Sequence, residues 1–304
     1  MNTAILLKKH KLQVQNIPML QRSTIQLLRF PFSFFLLPVY LFALGLVPVI
    51  HSTDAWLIFF ILHLLVYPAS NGYNSYMDRD EGSIGGLARP MQPTRQLFHI
   101  TVLMDIAAIA LSVFISNLFA IGITAYILAS RAYSYRGIRL KQYPIMGYCT
   151  VVFFQGCATF FLVYHGGSMD KTTNVPLAGV LAAGLLIGAF YPITQIYQHE
   201  ADKKDGVTTI SRLLGYRGTF IFTAILYLAA MLALSWLFFQ REQPMKLMVI
   251  ATVMLPALVY FFVWAKGVWS NISVADFTHT MRMNLLASLC SNLAFLIILT
   301  GRWI

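Results

Sequence analysis

The sequence predicts an all-α membrane protein, with about nine transmembrane helices in one bundle and cytoplasmic cap loops. Three observations carry that expectation. Of the 304 residues, 58% are hydrophobic and 11% are charged, against roughly 25% charged in a typical soluble domain. The apolar residues fall in blocks of about 17–22, the length that crosses the hydrocarbon core. The basic residues gather in alternate connections between those blocks.

Along the chain, residues 1–29 are basic and lack a signal-peptide core, because the apolar run at residues 1–7 is too short. They read as a cytoplasmic N-terminal tail, with an interfacial segment around residues 17–28. A transmembrane domain then occupies 30–304. Its expected spans are 30–50, 53–73, 98–116, 118–135, 147–165, 177–198, 217–239, 246–265 and 283–300, with ends good to a few residues. The second and sixth spans each run directly into a charged, glycine-containing loop.

Charge sets the expected orientation. With the N-terminus inside, the outer side keeps Lys171, Arg241, Lys246 and Arg302, four of the 22 Lys and Arg, so 18 lie inside. That asymmetry favours N-in, C-out, and puts every chemically rich loop on the cytoplasmic side. A prokaryotic inner membrane, bacterial for preference, is the expected home. The net charge of +11 does not indicate nucleic acid, because the cations lie between apolar blocks and form no surface stripe. Cys149, Cys157 and Cys290 lie in apolar blocks and suggest neither disulfides nor a metal site.

The chain has only 11 Asp and Glu residues. Six of them lie in two short stretches on that inner face: Asp78, Asp80 and Glu81, then Glu200, Asp202 and Asp205. Clustered acids at the ends of apolar helices repel one another and resist desolvation. A divalent cation offsets both costs. Mg²⁺ takes oxygen ligands, keeps several waters and binds through a few carboxylates plus substrate phosphates. Two facing acid clusters therefore suit a metal-bridged diphosphate. Any single acid could equally be a solvated loop residue paired with Arg79, Lys203 or Lys204.

In the first stretch Asn74 and Asp78 are four apart and share one helix face, and Glu81 continues it three residues on. In the second, Gln198, Asp202 and Asp205 fall at helical spacing beside Lys203 and Lys204. A third polar stretch follows the fourth span: Arg131, Tyr133, Ser134, Tyr135, Arg136, Arg139 and Lys141. Four cations, no acid and two tyrosines make a candidate anion clamp. The candidate metal ligands are thus Asn74, Asp78, Asp80, Glu81, Gln198, Asp202 and Asp205. The candidate diphosphate contacts are Arg79, Tyr133, Arg136, Arg139, Lys141 and Lys203. Asp78 and Asp202 are the candidate catalytic pair.

These motifs, in this order, resemble those of the UbiA-type intramembrane prenyltransferases: Asn-x-x-x-Asp with trailing acids, then Tyr-Ser with Arg-Leu-Lys, then Asp-x-x-x-Gly with Thr and Leu-Gly. The resemblance covers nearly the whole chain. It implies a nine-helix bundle around a central cavity capped on the cytoplasmic side. It also implies Mg²⁺-dependent ionisation of a polyprenyl diphosphate and transfer of the allylic group to a hydrophobic acceptor, aromatic or lipid-like, within the bilayer. By motif, Asn74 and Asp78 would belong to the first metal cluster and Asp202 to the second, with Lys141 and Arg136 or Arg139 on the diphosphate. Two positions depart from the pattern. Gly82 stands where a second Asp of the first motif is usual, and Gln198 where the second motif begins with Asp.

A UbiA-type terpene cyclase is the nearest alternative, since it ionises the same substrate and quenches the cation internally. A non-catalytic lipid-binding or transport protein is the alternative of another class. The nearly apolar span centres argue against transport. Asp105, inside the third span, is either functional or interfacial. His63 and Asn284 read as helix-packing groups.

Overall fold

The computed structural model describes residues 20–301; the expectations for residues 1–19 and for Arg302 lie outside them. The described residues form helices joined by short connections, with no strand longer than an isolated bridge. We number the helices α1 (Arg22–Leu28), α2 (Leu37–Leu46), α3 (Ser52–Asp78), α4 (Arg95–Ser112), α5 (Asn117–Ser134), α6 (Pro144–Gly167), α7 (Leu177–Gln195), α8 (His199–Lys204), α9 (Ile210–Gln240), α10 (Pro244–Ser270) and α11 (Phe277–Thr300).

Seven helices are long and apolar enough to cross a membrane, or eight if the bent pair over residues 22–46 is one span. The expected count of nine is not reached among the described residues. Two places account for the difference. The first expected span is broken: a tight 3-10 turn at Phe30–Phe35 separates α1 from α2, and the two halves meet at 41°. Pro31 and Pro38 stand in the first positions of the turn and of α2, where the missing N–H breaks no bond. Helix α5 fills the fourth place, but its last turns carry Ser130, Arg131, Tyr133 and Ser134, which shortens its apolar stretch.

The bundle has two distinct ends. At one end the Lys171 ammonium pairs with Asp54 at the start of α3, and the Arg241 guanidinium donates to the Leu46 carbonyl at 3.2 Å. At the other end lie the loop 79–94, the connection 135–143, the segment 196–209 and the start of α11. Helix α1 straps this second end. Leu27 and Leu28 pack with Ile84 and Leu97 in a small satellite core, and Thr24 Oγ1 donates to Gln96 Oε1 at 2.9 Å.

Between membrane helices, packing rests on small residues that let backbones approach. Gly156 shows this: a Cβ there would lie 2.7 Å from Gly184 Cα and 2.9 Å from the Ala183 carbonyl oxygen. Gly156 also sits in a stretch of α6, Val152–Ala158, wound as the wider π-helix, a form that often marks functional sites. Helix α9 bends at Gly215, whose φ of 69° and ψ of 175° are open to glycine but not to other residues.

Candidate active site

The site is built where α3 ends. Asn74 and Asp78, one turn apart, both line a central cavity of about 840 Å³. Arg79 adopts the left-handed conformation, with φ 54°, and stops the helix. The predicted helical face therefore ends at Asp78, and Glu81 is not on it. Glu81 instead lies beyond the cap, exposed at the cavity mouth. The Asp78 side chain is 6% exposed and pairs with the Lys141 ammonium, with Arg139 at 3.9 Å. Its Oδ1 is buried without a hydrogen bond. Asn74 Oδ1 accepts from the Ser134 hydroxyl at 2.9 Å and from Lys141 at 3.5 Å. Asp80, in the loop, has its carboxyl pushed above the ordinary range, first by burial and then by the neighbouring Asp78 charge; Lys141 and Arg29 oppose the shift.

The opposing wall comes from the end of α7. A 3-10 turn, Ile196–Gln198, leads into the short helix α8, so Gln198, Asp202 and Asp205 do not share one continuous helix. Asp202 accepts from the Thr209 hydroxyl at 3.3 Å, and its carbonyl accepts from the Val207 amide at 2.8 Å. Thr209 is also the N-cap of α9, so the carboxylate is held by the residue that starts the next helix. Gln198 Nε2 lies 3.5 Å from the Ser83 carbonyl, bridging the two acidic segments. Asp205, past the end of α8, pairs with Arg139.

The basic stretch does not act as one clamp. Arg131 faces away from the mouth: it pairs with Asp105, its Nε 2.8 Å from Oδ2, and lies 3.9 Å from the centre of the Tyr73 ring. That pair gives Asp105 its partner. Arg136 donates to the carbonyls of Met77 at 2.7 Å and Asp78 at 3.2 Å, bracing the end of α3. Arg139 bridges Asp78 and Asp205. Lys141 and Tyr133 line the cavity, and the Tyr133 hydroxyl meets that of Tyr191. Arg79 turns outward over the Tyr76 ring, 6.0 Å from its centre. Lys203 is exposed on α8, away from the cavity wall, while its neighbour Lys204 is on the wall.

Charge is confined to one end of the cavity. The cations on the described wall are Arg29, Lys141 and Lys204. The acids are Asp78, Asp80, Glu81, Asp202 and Asp205. Below them the wall is apolar and aromatic, with neutral polar groups among Phe42, Tyr67, Tyr126 and Phe154. Among the described residues no three His, Cys, Asp or Glu side chains converge to cage a metal by themselves. Oxygen donors on two sides, including Asp78 Oδ1, which accepts no hydrogen bond, nevertheless fit a hard cation that completes its shell with water and phosphate oxygens.

A family model, the UbiA prenyltransferase family, matches residues 34–286. The chain belongs to that family. No curated protein matches it by sequence. Solved structures share its fold. A UbiA homolog from Archaeoglobus fulgidus, bound to DMAPP and Mg²⁺, is 19% identical with a TM-score of 0.67, covering 91% of this chain and 99% of that one. The apo UbiA homolog from Aeropyrum pernix K1 is 16% identical with a TM-score of 0.67, covering 88% and 98%. A digeranylgeranylglyceryl phosphate synthase is 17% identical with a TM-score of 0.58, covering 91% and 98%.

For this UbiA family member, several wall residues were not singled out from sequence. Arg29 is buried, donating to the carbonyls of Asn71 and Gly85 at 3.1 Å each. It thereby clips the loop 79–94 onto α3 and brings a cation to the mouth. In the sequence it is one more tail arginine. Gln195 and Tyr197 each carry a buried, unpartnered oxygen on the wall. Asn284, read from sequence as a packing group, lines the cavity.

Proposed function

We propose that this prenyltransferase-family enzyme moves a polyprenyl group from a prenyl diphosphate, in a Mg²⁺-dependent reaction, to a hydrophobic acceptor held in the same cavity. The observation that carries the reading is the division of one 840 Å³ cavity into a charged mouth and an apolar shaft. Such a shape takes a molecule with a charged head and a long hydrocarbon tail. Structural relatives bound to DMAPP and Mg²⁺ and to GPP and Mg²⁺ support the same substrate class.

In this account Asn74, Asp78, Asp80 and Asp202 would hold the metal, with Glu81, Gln198 and Asp205 at the margin. When bound, Mg²⁺ supplies positive charge against the leaving diphosphate. Lys141 and Lys204 meet diphosphate oxygens as point charges, and Arg29 adds to the field. The C1–O bond of the allylic diphosphate breaks as its electron pair leaves with the diphosphate. An electron pair of the acceptor forms the new bond to C1, and the acceptor gives up a proton. Tyr67, Tyr126 and Phe154 present aromatic faces beside the path, which favour a passing allylic cation. The shaft shields that cation from water. Arg136 and Arg139 position Asp78 and Asp205 and lie outside the first contacts.

The distribution of Lys and Arg supports a mouth on the cytoplasmic side, with the N-terminus inside and the C-terminus outside. The chemistry is tested by diphosphate release from geranylgeranyl diphosphate on purified protein in nanodiscs. Release that requires Mg²⁺ and is lost in Asp202→Ala supports the reading. Release that ignores chelator, or survives the substitution, removes it.

A further inference from the structure

The second acidic wall rests on a helix too short to hold itself. Helix α8 has six residues, and isolated helices shorter than about 12–15 residues are marginal in water. Yet it carries Asp202. Position 198 is glutamine and Asp205 is taken by Arg139, so Asp202 is the acid this wall has left to offer a cation. What fixes its direction must lie behind it.

His199 stands one turn before Asp202, at the start of α8. It is buried and is not among the described residues of the cavity wall. Its ring lies 4.5 Å from that of Tyr216, and its Nε2 is 2.8 Å from the Ser211 hydroxyl. Ser211 Oγ is in turn 3.0 Å from Thr219 Oγ1. Both residues are buried on α9, four positions to either side of the bend at Gly215. Eight residues of straight helix would set them about 12 Å apart along the axis, so the bend is what lets them meet.

The protons of this chain can be placed. Thr219 Oγ1 lies 2.7 Å from the Gly215 carbonyl and 3.1 Å from the Ser211 carbonyl. A carbonyl only accepts, so the Thr219 hydroxyl gives its proton to the backbone. Toward Ser211 it is then the acceptor. The Ser211 hydroxyl donates to it, and Ser211 Oγ is left to accept from His199. The network thereby assigns His199 the Nε2–H tautomer. The reverse direction would leave two hydroxyl oxygens facing each other with no proton between them. Satisfied in this way, a buried network makes its members rigid.

Resting on the transfer reading, we propose that His199, through Ser211 and Thr219, is a positioning residue: it fixes the start of α8 against the bend of α9 and so holds Asp202 toward Asp78 for a cation between them. The wall acid is thus set by a donor that never touches the substrate, and the bend at Gly215 is part of the same device.

Equilibrium binding tests this without any chemistry. Protein in nanodiscs, with empty nanodiscs as the blank, is titrated with tritiated geranylgeranyl thiodiphosphate over a series of Mg²⁺ concentrations. A second titration uses tritiated geranylgeraniol, which has the tail without the charged head. In the wild type the first should need Mg²⁺ and the second should not. Residues behind a metal ligand commonly set metal affinity by about 10–100-fold, so His199→Leu and Ser211→Ala should each raise the half-saturating Mg²⁺ about tenfold. His199→Gln keeps a donor near the Nε2 position and should stay close to the wild type. Geranylgeraniol affinity should be unchanged in all three variants, which also shows that they are folded. Wild-type Mg²⁺ dependence in both His199→Leu and Ser211→Ala overturns the proposal. So does an equal rise in His199→Gln and His199→Leu. A parallel loss of geranylgeraniol binding makes His199 a residue of the fold as a whole and overturns it too. A wild type that binds thiodiphosphate without Mg²⁺, or not at all, removes the transfer reading itself and this proposal with it.

Discussion

Substitution of Asp78 affects stability as well as catalysis, and the structure gives both magnitudes. Its side chain is 6% exposed and faces two cations that are also nearly buried, Lys141 at 12% and Arg139 at 10%. Asp78→Ala leaves both without this partner. Removing one member of a buried pair costs about 3–5 kcal/mol. Arg139 keeps Asp205 and Lys141 keeps Asn74, so the lower value, about 3 kcal/mol, applies. At roughly 2–4 °C per kcal/mol for a chain of this order, the melting temperature should fall by about 6–12 °C. Asp78→Asn keeps the shape and should fall less. Both should lose turnover by a factor of about 100 or more, the scale of losing one preorganised electrostatic group. The double variant Asp78→Ala/Lys141→Met should recover most of the melting temperature and none of the turnover. Thermal unfolding followed by tryptophan fluorescence in detergent, alongside diphosphate release, reads both quantities. An Asp78→Ala protein that melts with the wild type, or an Asp78→Asn protein that keeps more than a tenth of its turnover, refutes the reasoning.

Further expectations concern packing, the second ion pair and Asp80. Gly156→Ala places a methyl 2.7 Å from a backbone carbon of α7, which must move; thermal unfolding should show a loss of about 1–3 kcal/mol, and an unchanged melt contradicts the close approach. Arg131→Met leaves the Asp105 carboxylate, 9% exposed, without its cation and should cost about 3–5 kcal/mol. Asp105→Asn in the same protein should restore most of that loss; if it does not, the pair is not what the arginine stabilises. Because burial raises the Asp80 carboxyl above its unfolded value, its contribution to stability is complete at low pH and is lost as pH rises through the folded value. Chelator-treated Asp80→Asn should therefore melt above the wild type near neutrality, and the gap should close on acidification. A gap that widens instead reverses the sign.

Much of the fold was legible because hydrophobic block length is set by the bilayer, and eight of the expected span positions coincide with a long helix. The bend before α2 was less so, since Pro31 and Pro38 can begin helical segments as well as break them. At the site, the acids stood out because charge is scarce in this chain, and Asp78, Asp80 and Asp202 do meet at one mouth. Helical spacing overreached at Glu81 and Asp205, because left-handed Arg79 and the end of α8 stop the helices first. The basic stretch read as one clamp because sequence does not say which cation already has a partner. Asp105 claims Arg131 across 26 positions. Asn284 was hidden for the same reason, since an amide in an apolar helix looks alike whether it packs or faces a cavity.

Product analysis tests the central claim most directly. Purified protein in nanodiscs receives Mg²⁺ and labelled geranyl, farnesyl or geranylgeranyl diphosphate, with and without a membrane lipid extract, and the products are resolved by mass spectrometry. The account predicts label on an extract compound, with Mg²⁺ present and not without it, and none with Asp202→Ala. Label in a cyclic hydrocarbon or alcohol formed without extract, or no consumption of any of the three diphosphates, contradicts it.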